Sequence, residues 1–513
     1  MTQTASSAAL PTQADVAVIG AGAMGAGIAQ VIAAAGHSVR LLDARPGAAA
    51  QAVAGLAAQF DKLAARGKLS PDAAAAAAQR LRAVDAVADL AGCALAVEAI
   101  VEDLAAKQTL LAQLEDVLGE GAILATNTSS ISITAIGAAL KRPQRLAGLH
   151  FFNPAPLMAL VEVVSGLATD PAVADTLMAS AAAWGKTPVR ARSTPGFIVN
   201  RVARPFYAEA LRVLGEGGAD CVTLDALMRE AGGFRMGPFE LMDLIGHDVN
   251  FAVTRSVWQA FFNDPRFTPS LIQQELVQGG YLGRKTGRGF YTYDGSAAPA
   301  PATLGAQPLA AGITLHGLHP AAQALRARLS AAGVPFATDD DACDGCIARV
   351  DQAVLRACDG RSATEVAAAT ATPNTVLLDL ALDYTRATRL GLAAAASCAP
   401  EALNAVGGVL QAAGYAVSVL ADVPGLIVTR TVAMLANEAA DAVNQGVADA
   451  AGVDTAMRLG VNYPQGPLAW ADAWGIPHVA AVLRHLAATY GEDRYRTSPL
   501  IQRHLHAQTR FHA

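Results

Sequence analysis

A histidine and a glutamate twelve residues apart have the side chains needed to move a proton. His150 stands in Leu149-His-Phe-Phe-Asn-Pro154, at the end of a predicted strand, and Glu162 stands in the next, Leu160-Val-Glu-Val-Val164. The connection through Asn153-Pro-Ala-Pro156 is too short for a parallel crossover, so the two strands should form an antiparallel hairpin. A turn centred near residue 156 sets positions 150 and 162 opposite each other on one face. A carboxylate beside an imidazole fixes its tautomer and stabilises the imidazolium, giving an acid–base pair that works near neutral pH. A structural histidine is the bland alternative. Against it, Glu162 lies among apolar residues and needs a partner, and His150 is the nearest candidate.

A second constellation points to a bound nucleotide. Gly20-Ala-Gly-Ala-Met-Gly25 follows an apolar run over residues 15–19 and opens a helical stretch over 23–35. Gly20 permits a tight turn, Gly22 a close approach to a pyrophosphate, and Gly25 close packing of helix on strand. Ala23 and Met24 then lie at the helix N-terminus, where free N–H groups receive phosphate. Asp43, at the end of a second strand over 37–42, can accept both ribose hydroxyls, which favours NAD over NADP. Two more polar positions stand out. Ser129, in Ala125-Thr-Asn-Thr-Ser-Ser130 after a strand over 122–126, can donate to a substrate oxygen or cap a helix together with Ser130. Asn200, early in a helix after Thr194-Pro-Gly196, carries an amide able to donate to a carbonyl oxygen.

These groups need a scaffold of several domains, because 513 residues exceed a single core. A chain 53% hydrophobic and 16% charged reads as soluble, globular and helix-rich, and a net charge of −6 gives no reason to expect nucleic acid. Six scattered cysteines suit a reducing cytoplasm. Cys343-Asp-Gly-Cys346 has no second pair to complete a zinc site, so no metal is expected. The first fourteen residues lack the basic start and apolar core of a signal peptide. Residues 16–39 are long and nearly uncharged, yet their glycines fit a strand–turn–helix better than a membrane span.

Two alanine-rich helices over 46–65 and 71–84 form a hairpin whose tip carries Lys62, Arg66 and Lys68. That tip either holds a phosphate-bearing substrate tail or is a solvated face. Strands then recur over 93–100, 122–126 and 146–152, and from 195 the pattern turns helical. Pro195-Gly-Phe-Ile-Val-Asn-Arg201 returns as Pro424-Gly-Leu-Ile-Val-Thr-Arg430, an offset of 229 that also pairs Glu209 with Glu438, Asp225 with Asp454 and Asp243 with Asp472. One register held over fifty residues is a duplication. Asn200 becomes Thr429 in the second copy, which implies that only the first is needed for chemistry. Residues 321–400 alternate strand and helix with no glycine fingerprint. The layout expected is therefore a nucleotide-binding domain over 14–194, a helical domain over 195–293, a linker over 294–320, a small α/β domain without its own nucleotide over 321–422, and a second helical copy over 423–513.

These motifs, with Val97-Glu-Ala-Ile-Val-Glu102 and Gly237-Pro-Phe-Glu-Leu-Met-Asp243, resemble the L-3-hydroxyacyl-CoA dehydrogenase family from about residue 14 to 293. The longer layout resembles the bacterial 3-hydroxyadipyl-CoA dehydrogenases of phenylacetate degradation. The resemblance implies an α/β N-terminal Rossmann domain plus an all-α domain, followed by a degenerate Rossmann-like domain and a second α domain. It implies NAD as cofactor and an acyl-CoA substrate, with His150 as general base, Glu162 as its orienting partner, and Ser129 and Asn200 on the reacting oxygen. Glu102, Lys107 and Asn127 would line the cofactor site, and Lys62 and Lys68 would lie where coenzyme A is received. Single-copy members pair through the helical domain, so a homo-oligomer, or a second copy standing in for the partner, is expected. The competing readings are a 3-hydroxybutyryl-CoA or general β-oxidation dehydrogenase, a free hydroxy-acid dehydrogenase, and a non-catalytic NAD-binding scaffold. A fused hydratase module is not expected, because the fingerprint begins near residue 20.

Overall fold

A computed structural model describes residues 8–339 and 345–512. The chain divides into two compact units, one reaching to Arg201 and including Gln445–Val461, the other comprising Val202–Asn444 and the residues from Asn462 onward. Among the described residues, no helix is long and apolar enough to cross a membrane.

The first unit is built on an eight-stranded sheet: β1 (Val16–Ile19), β2 (Val39–Leu42), β3 (Leu81–Val84), β4 (Leu95–Glu98), β5 (Ile123–Thr126), β6 (Leu146–Phe151), β7 (Leu160–Ser165) and β8 (Thr187–Arg192). Their order is β3-β2-β1-β4-β5-β6-β7-β8, parallel throughout except for the β6–β7 pair. Strands β1 and β4 are apolar except for the terminal Glu98 and buried along their whole length, as strands covered by helices on both faces must be. The helix Ala23–Ala34 packs Ile28 and Ile32 into the core with Val16, Val18 and Leu41, and the helix Ala48–Ala65 adds Leu56 and Phe60. One expectation fails here. The helix read over 71–84 ends at Gln79, and residues 81–84 become β3, in parallel register with β2. The alanine run drives helix only as far as it extends. Leu81 and Val84 are then buried as an edge strand, where the open side of β2 supplies hydrogen-bond partners.

The second unit holds a seven-stranded sheet: β9 (Ile313–His316), β10 (Ala337–Asp339), β11 (Cys346–Val350), β12 (Ala353–Ala357), β13 (Thr375–Leu378), β14 (Arg389–Ala394) and β15 (Ala416–Val419). Its order is β10-β9-β11-β12-β13-β14-β15. Strand β9 lies inside the stretch read as linker. Strands β12 to β15 repeat the pattern of β5 to β8: parallel, antiparallel, parallel.

The register shows which residues of the two sheets correspond. Glu162 pairs with Val189 on β8, and Gly391 pairs with Ser418 on β15, which is Val189 shifted by the repeat offset of 229. Across the antiparallel pair, Glu162 faces His150, whereas Gly391 O accepts the N–H of Asp379. Asp379 and Gly391 therefore occupy the places of His150 and Glu162. The Asp379 carboxylate accepts the N–H groups of Ile427, Val428 and Thr429 at 2.9–3.1 Å and the Thr429 hydroxyl at 2.8 Å. The second sheet has kept a carboxylate anchor and lost the imidazole.

The two helical copies are interleaved with these sheets. In the first unit, the second-copy helix Ala450–Gly460 covers β7 and β8, with Arg192 N–H donating to Val447 O at 2.8 Å. In the second unit, the first-copy helix Cys221–Glu230 covers β14. There, too, Phe234 and its repeat mate Tyr463 touch edge to face with centroids 5.1 Å apart, Arg430 reaches Glu209 at 2.7 Å, and Arg266 reaches Glu438 at 3.2 Å. A residue touching its own repeat equivalent marks a local two-fold axis between the copies.

Asp379→Ala strips the acceptor from the N–H groups of Ile427, Val428 and Thr429, and from that of its neighbour Leu380. Its stability should fall by about 3 kcal/mol, since each stranded donor costs roughly 1–3 kcal/mol. A lowered urea midpoint with turnover per native molecule retained is the expected result, and Asp379→Asn should lose less.

Candidate active site

The glycine turn between β1 and the helix Ala23–Ala34 is dictated by steric contact. Gly20 has φ +106°, and a Cβ there would lie 2.4 Å from Ala99 O. A Cβ on Gly25 would lie 1.8 Å from Gly20 O. Gly22 differs, because nothing stands within 4 Å of where its Cβ would be. It caps the helix with no side-chain bond, and no acidic residue occupies the first turn. The exposed N–H groups and the positive helix end at Gly22, Ala23 and Met24 suit a pyrophosphate. Asp43, at the end of β2, accepts the Ala21 N–H at 2.7 Å and so stands beside the turn. Burial pushes its pKa up, but the Ala21 N–H and Arg45 outweigh this and hold it below the ordinary aspartate range. The residues present therefore fit a dinucleotide with a free 2′-hydroxyl.

Strands β6 and β7 put His150 and Glu162 in direct register, with Nδ1 and Oε2 2.6 Å apart. Glu162 is fully buried, and His150 is 5% exposed. The carboxylate commits Nδ1–H to itself and leaves Nε2 as the nitrogen available for chemistry. Its other oxygen accepts the N–H groups of Ile198 and Val199, at 3.1 and 3.0 Å. Those two residues introduce the short helix Val199–Val202, which carries Asn200. Phe152 and Phe197 flank the imidazole with ring centroids 4.5 and 5.9 Å away.

Asn200 Nδ2 donates to Ser129 O at 3.4 Å, so these two residues, far apart in sequence, meet. The loop bearing Ser129 is held by Glu102. Its Oε1 accepts Thr128 Oγ1 at 2.6 Å, Ser129 N–H at 2.9 Å and Ser130 N–H at 3.1 Å. The Ser129 hydroxyl reaches the same oxygen only at 3.4 Å. Lys107, 1% exposed, bridges Glu98 at 2.7 Å and Glu102 at 3.2 Å. Glu102 and Lys107 thus act on the loop beneath the site. Asn127 Oδ1 accepts the Phe151 N–H at 2.8 Å and braces β5 against β6 beside His150. Glu98 was not singled out in the sequence. Its signal is an acid ending a buried strand with a lysine nine residues on, in the helix Leu104–Val117.

Lys62 and Lys68 stand exposed at the tip of the helical hairpin, and no described hydrogen bond or ion pair joins them to the groups around His150. Cys343 lies outside the described residues. Among the described residues, no group of three or more His, Cys, Asp or Glu side chains is gathered as metal ligands would be.

A histidine–glutamate pair at the carboxyl end of β6, in a sheet with a dinucleotide turn, is the arrangement of a nicotinamide-dependent dehydrogenase. Family models agree with that class. The 3-hydroxyacyl-CoA dehydrogenase NAD-binding domain matches residues 15–194, and the C-terminal domain of the same family matches 196–293 and again 425–510. The reduced Rossmann-fold domain of 3-hydroxybutyryl-CoA dehydrogenase matches 355–424. The chain is 45% identical over 487 residues to 3-hydroxyadipyl-CoA dehydrogenase of Escherichia coli, covering 95% of this chain and 96% of that one. It is 40% identical over 285 residues to pig mitochondrial hydroxyacyl-coenzyme A dehydrogenase, covering 54% of this chain and 90% of the relative. A crystal structure described as 3-hydroxybutyryl-CoA dehydrogenase from Escherichia coli superposes with a TM-score of 0.88 at 44% identity, covering 97% and 99% of the two chains. The protein belongs to the 3-hydroxyacyl-CoA dehydrogenase family, and its cofactor is NAD.

Glu102 offers a test of the loop's anchor. Burial raises its pKa, but the Thr128 hydroxyl and the Lys107 charge reverse this and leave it below the ordinary value of 4.5. A depressed folded pKa stabilises above the unfolded value, and that contribution is lost as pH falls through the folded one. Glu102→Gln should therefore be less stable than wild type at neutral pH, with the difference shrinking below pH 4, read from thermal midpoints.

Proposed function

We propose that the protein oxidises (S)-3-hydroxyacyl-CoA to 3-oxoacyl-CoA, with 3-hydroxyadipyl-CoA as its substrate in phenylacetate catabolism. The observation carrying the reaction is the 2.6 Å His150–Glu162 contact on the sheet that carries the nucleotide turn. Similarity over nearly the whole chain to a 3-hydroxyadipyl-CoA dehydrogenase supports the substrate. NAD, when bound at Gly20, Gly22, Gly25 and Asp43, supplies the acceptor for the C3 hydride. His150 Nε2 removes the hydroxyl proton as the C3–H bond breaks, and Glu162 stabilises the imidazolium that results. Ser129 and Asn200 donate to the oxygen as its charge develops, a contribution of roughly 3 kcal/mol per donor. In the reverse direction protonated His150 is the acid.

His150→Ala should lower kcat by about a thousandfold with NAD affinity unchanged, the scale expected when an acid–base group is removed. Glu162→Gln should lower kcat by about a hundredfold and also reduce stability, because the amide cannot serve both His150 and the two N–H groups. Nicotinamide absorbance with 3-hydroxyadipyl-CoA measures the first, and full turnover by the His150 variant sinks the reading.

The second helical copy is read as a built-in partner. The Phe234–Tyr463 contact and the exchanged Arg430–Glu209 and Arg266–Glu438 pairs, all within the second unit, support this. A chain truncated near Gly295 should dimerise in light scattering, and a fully active monomer would contradict the assignment. Free thiols at Cys93, Cys221, Cys346, Cys358 and Cys398 are in keeping with a cytoplasmic enzyme.

A further inference from the structure

Within the second unit a cavity of about 210 Å³ is lined by Arg204, Tyr207, Leu211, Thr254, Gln273 and Arg494, among others. Arg204 is 6% exposed. Its guanidinium makes one hydrogen bond, from Nη1 to Thr254 Oγ1 at 3.1 Å, and Nε makes none. The Tyr207 ring lies 5.0 Å away. Among the described residues no carboxylate pairs with it. The phenols Tyr207 and Tyr463, uncharged at neutral pH, face it, Arg212 and Arg494 line the same cavity, and burial pulls its pKa down.

Neighbouring arginines each have a carboxylate within 4.0 Å, though Arg494 Nε makes no hydrogen bond. Arg430 takes Glu209 and Glu216, Arg266 takes Glu438 and Asp441, Arg212 takes Glu492, and Arg494 lies between Glu209 and Glu492. The local acids are used, and Arg204 is left over. A guanidinium does not shed its proton in a protein, so burial without a counter-charge is a standing penalty.

We propose that this cavity binds a carboxylate at the end of a short aliphatic chain, with Arg204 as its counter-ion. The planar fork matches a carboxylate's two oxygens. Leu211, Phe267 and Pro269 furnish apolar wall for methylenes. Two sources present this chemistry: the far carboxylate of a dicarboxylic acyl thioester, which rests on the function proposed above, or a free short-chain acid.

The test compares wild type, Arg204→Leu and Arg204→Lys with 3-hydroxyadipyl-CoA and 3-hydroxyhexanoyl-CoA, equal in chain length but ending in carboxylate or methyl. Adipate is titrated into each protein by calorimetry. The adipyl-to-hexanoyl ratio of kcat/KM should fall at least tenfold in the Leu variant and recover in part with Lys, identifying the acyl chain as the source. Saturable adipate binding lost in the Leu variant, with the ratio unchanged, supports the cavity but assigns it to a free acid. An unchanged ratio together with unchanged or absent adipate binding overturns the proposal. Should the Leu variant not fold, the same readouts on the Lys variant decide. A wild type that turns over neither thioester defeats the functional reading, and the adipate titration still decides the cavity.

Discussion

One buried carboxylate joins the parts of this site. Glu162 has no contact with solvent, and both of its oxygens are engaged in hydrogen bonds, as a buried carboxylate requires. One oxygen holds the His150 imidazole, and the other holds two backbone N–H groups at the start of the segment carrying Asn200. The carboxylate that orients the His150 imidazole thus also places the segment carrying Asn200.

The second half of the chain shows the same device with the chemistry removed. Asp379 stands where His150 stands and Gly391 where Glu162 stands, yet the N–H groups of Ile427 and Val428, repeat equivalents of Ile198 and Val199, still meet a carboxylate. The shorter acid reaches them from the opposing strand, over a position where glycine leaves space. Thr429, in place of Asn200, turns its hydroxyl onto Asp379. What persisted through duplication is the anchor that docks a helical repeat onto its sheet, and that is a requirement of folding.

Charges near the site divide by burial. Lys107, expected from its motif at the cofactor site, is 1% exposed and held between Glu98 and Glu102. Those ion pairs tie the carboxyl edge of β4 to the loop bearing Ser129. Lys62 and Lys68, exposed on their hairpin, remain available to a ligand's phosphates.

Local pattern and spacing determined a good deal. The glycine turn, the opposition of His150 and Glu162 across a short hairpin, and the gapless repeat all follow from near neighbours or from register, which a linear string preserves. Tertiary structure decided the rest. Residues 81–84 became a strand because β2 had an open edge. Asp379 became an anchor because distant N–H groups arrive over it. The helices Cys221–Glu230 and Ala450–Gly460 each came to cover the other copy's sheet. Such outcomes depend on which buried polar groups meet across long separations, and no periodicity in the chain encodes that meeting.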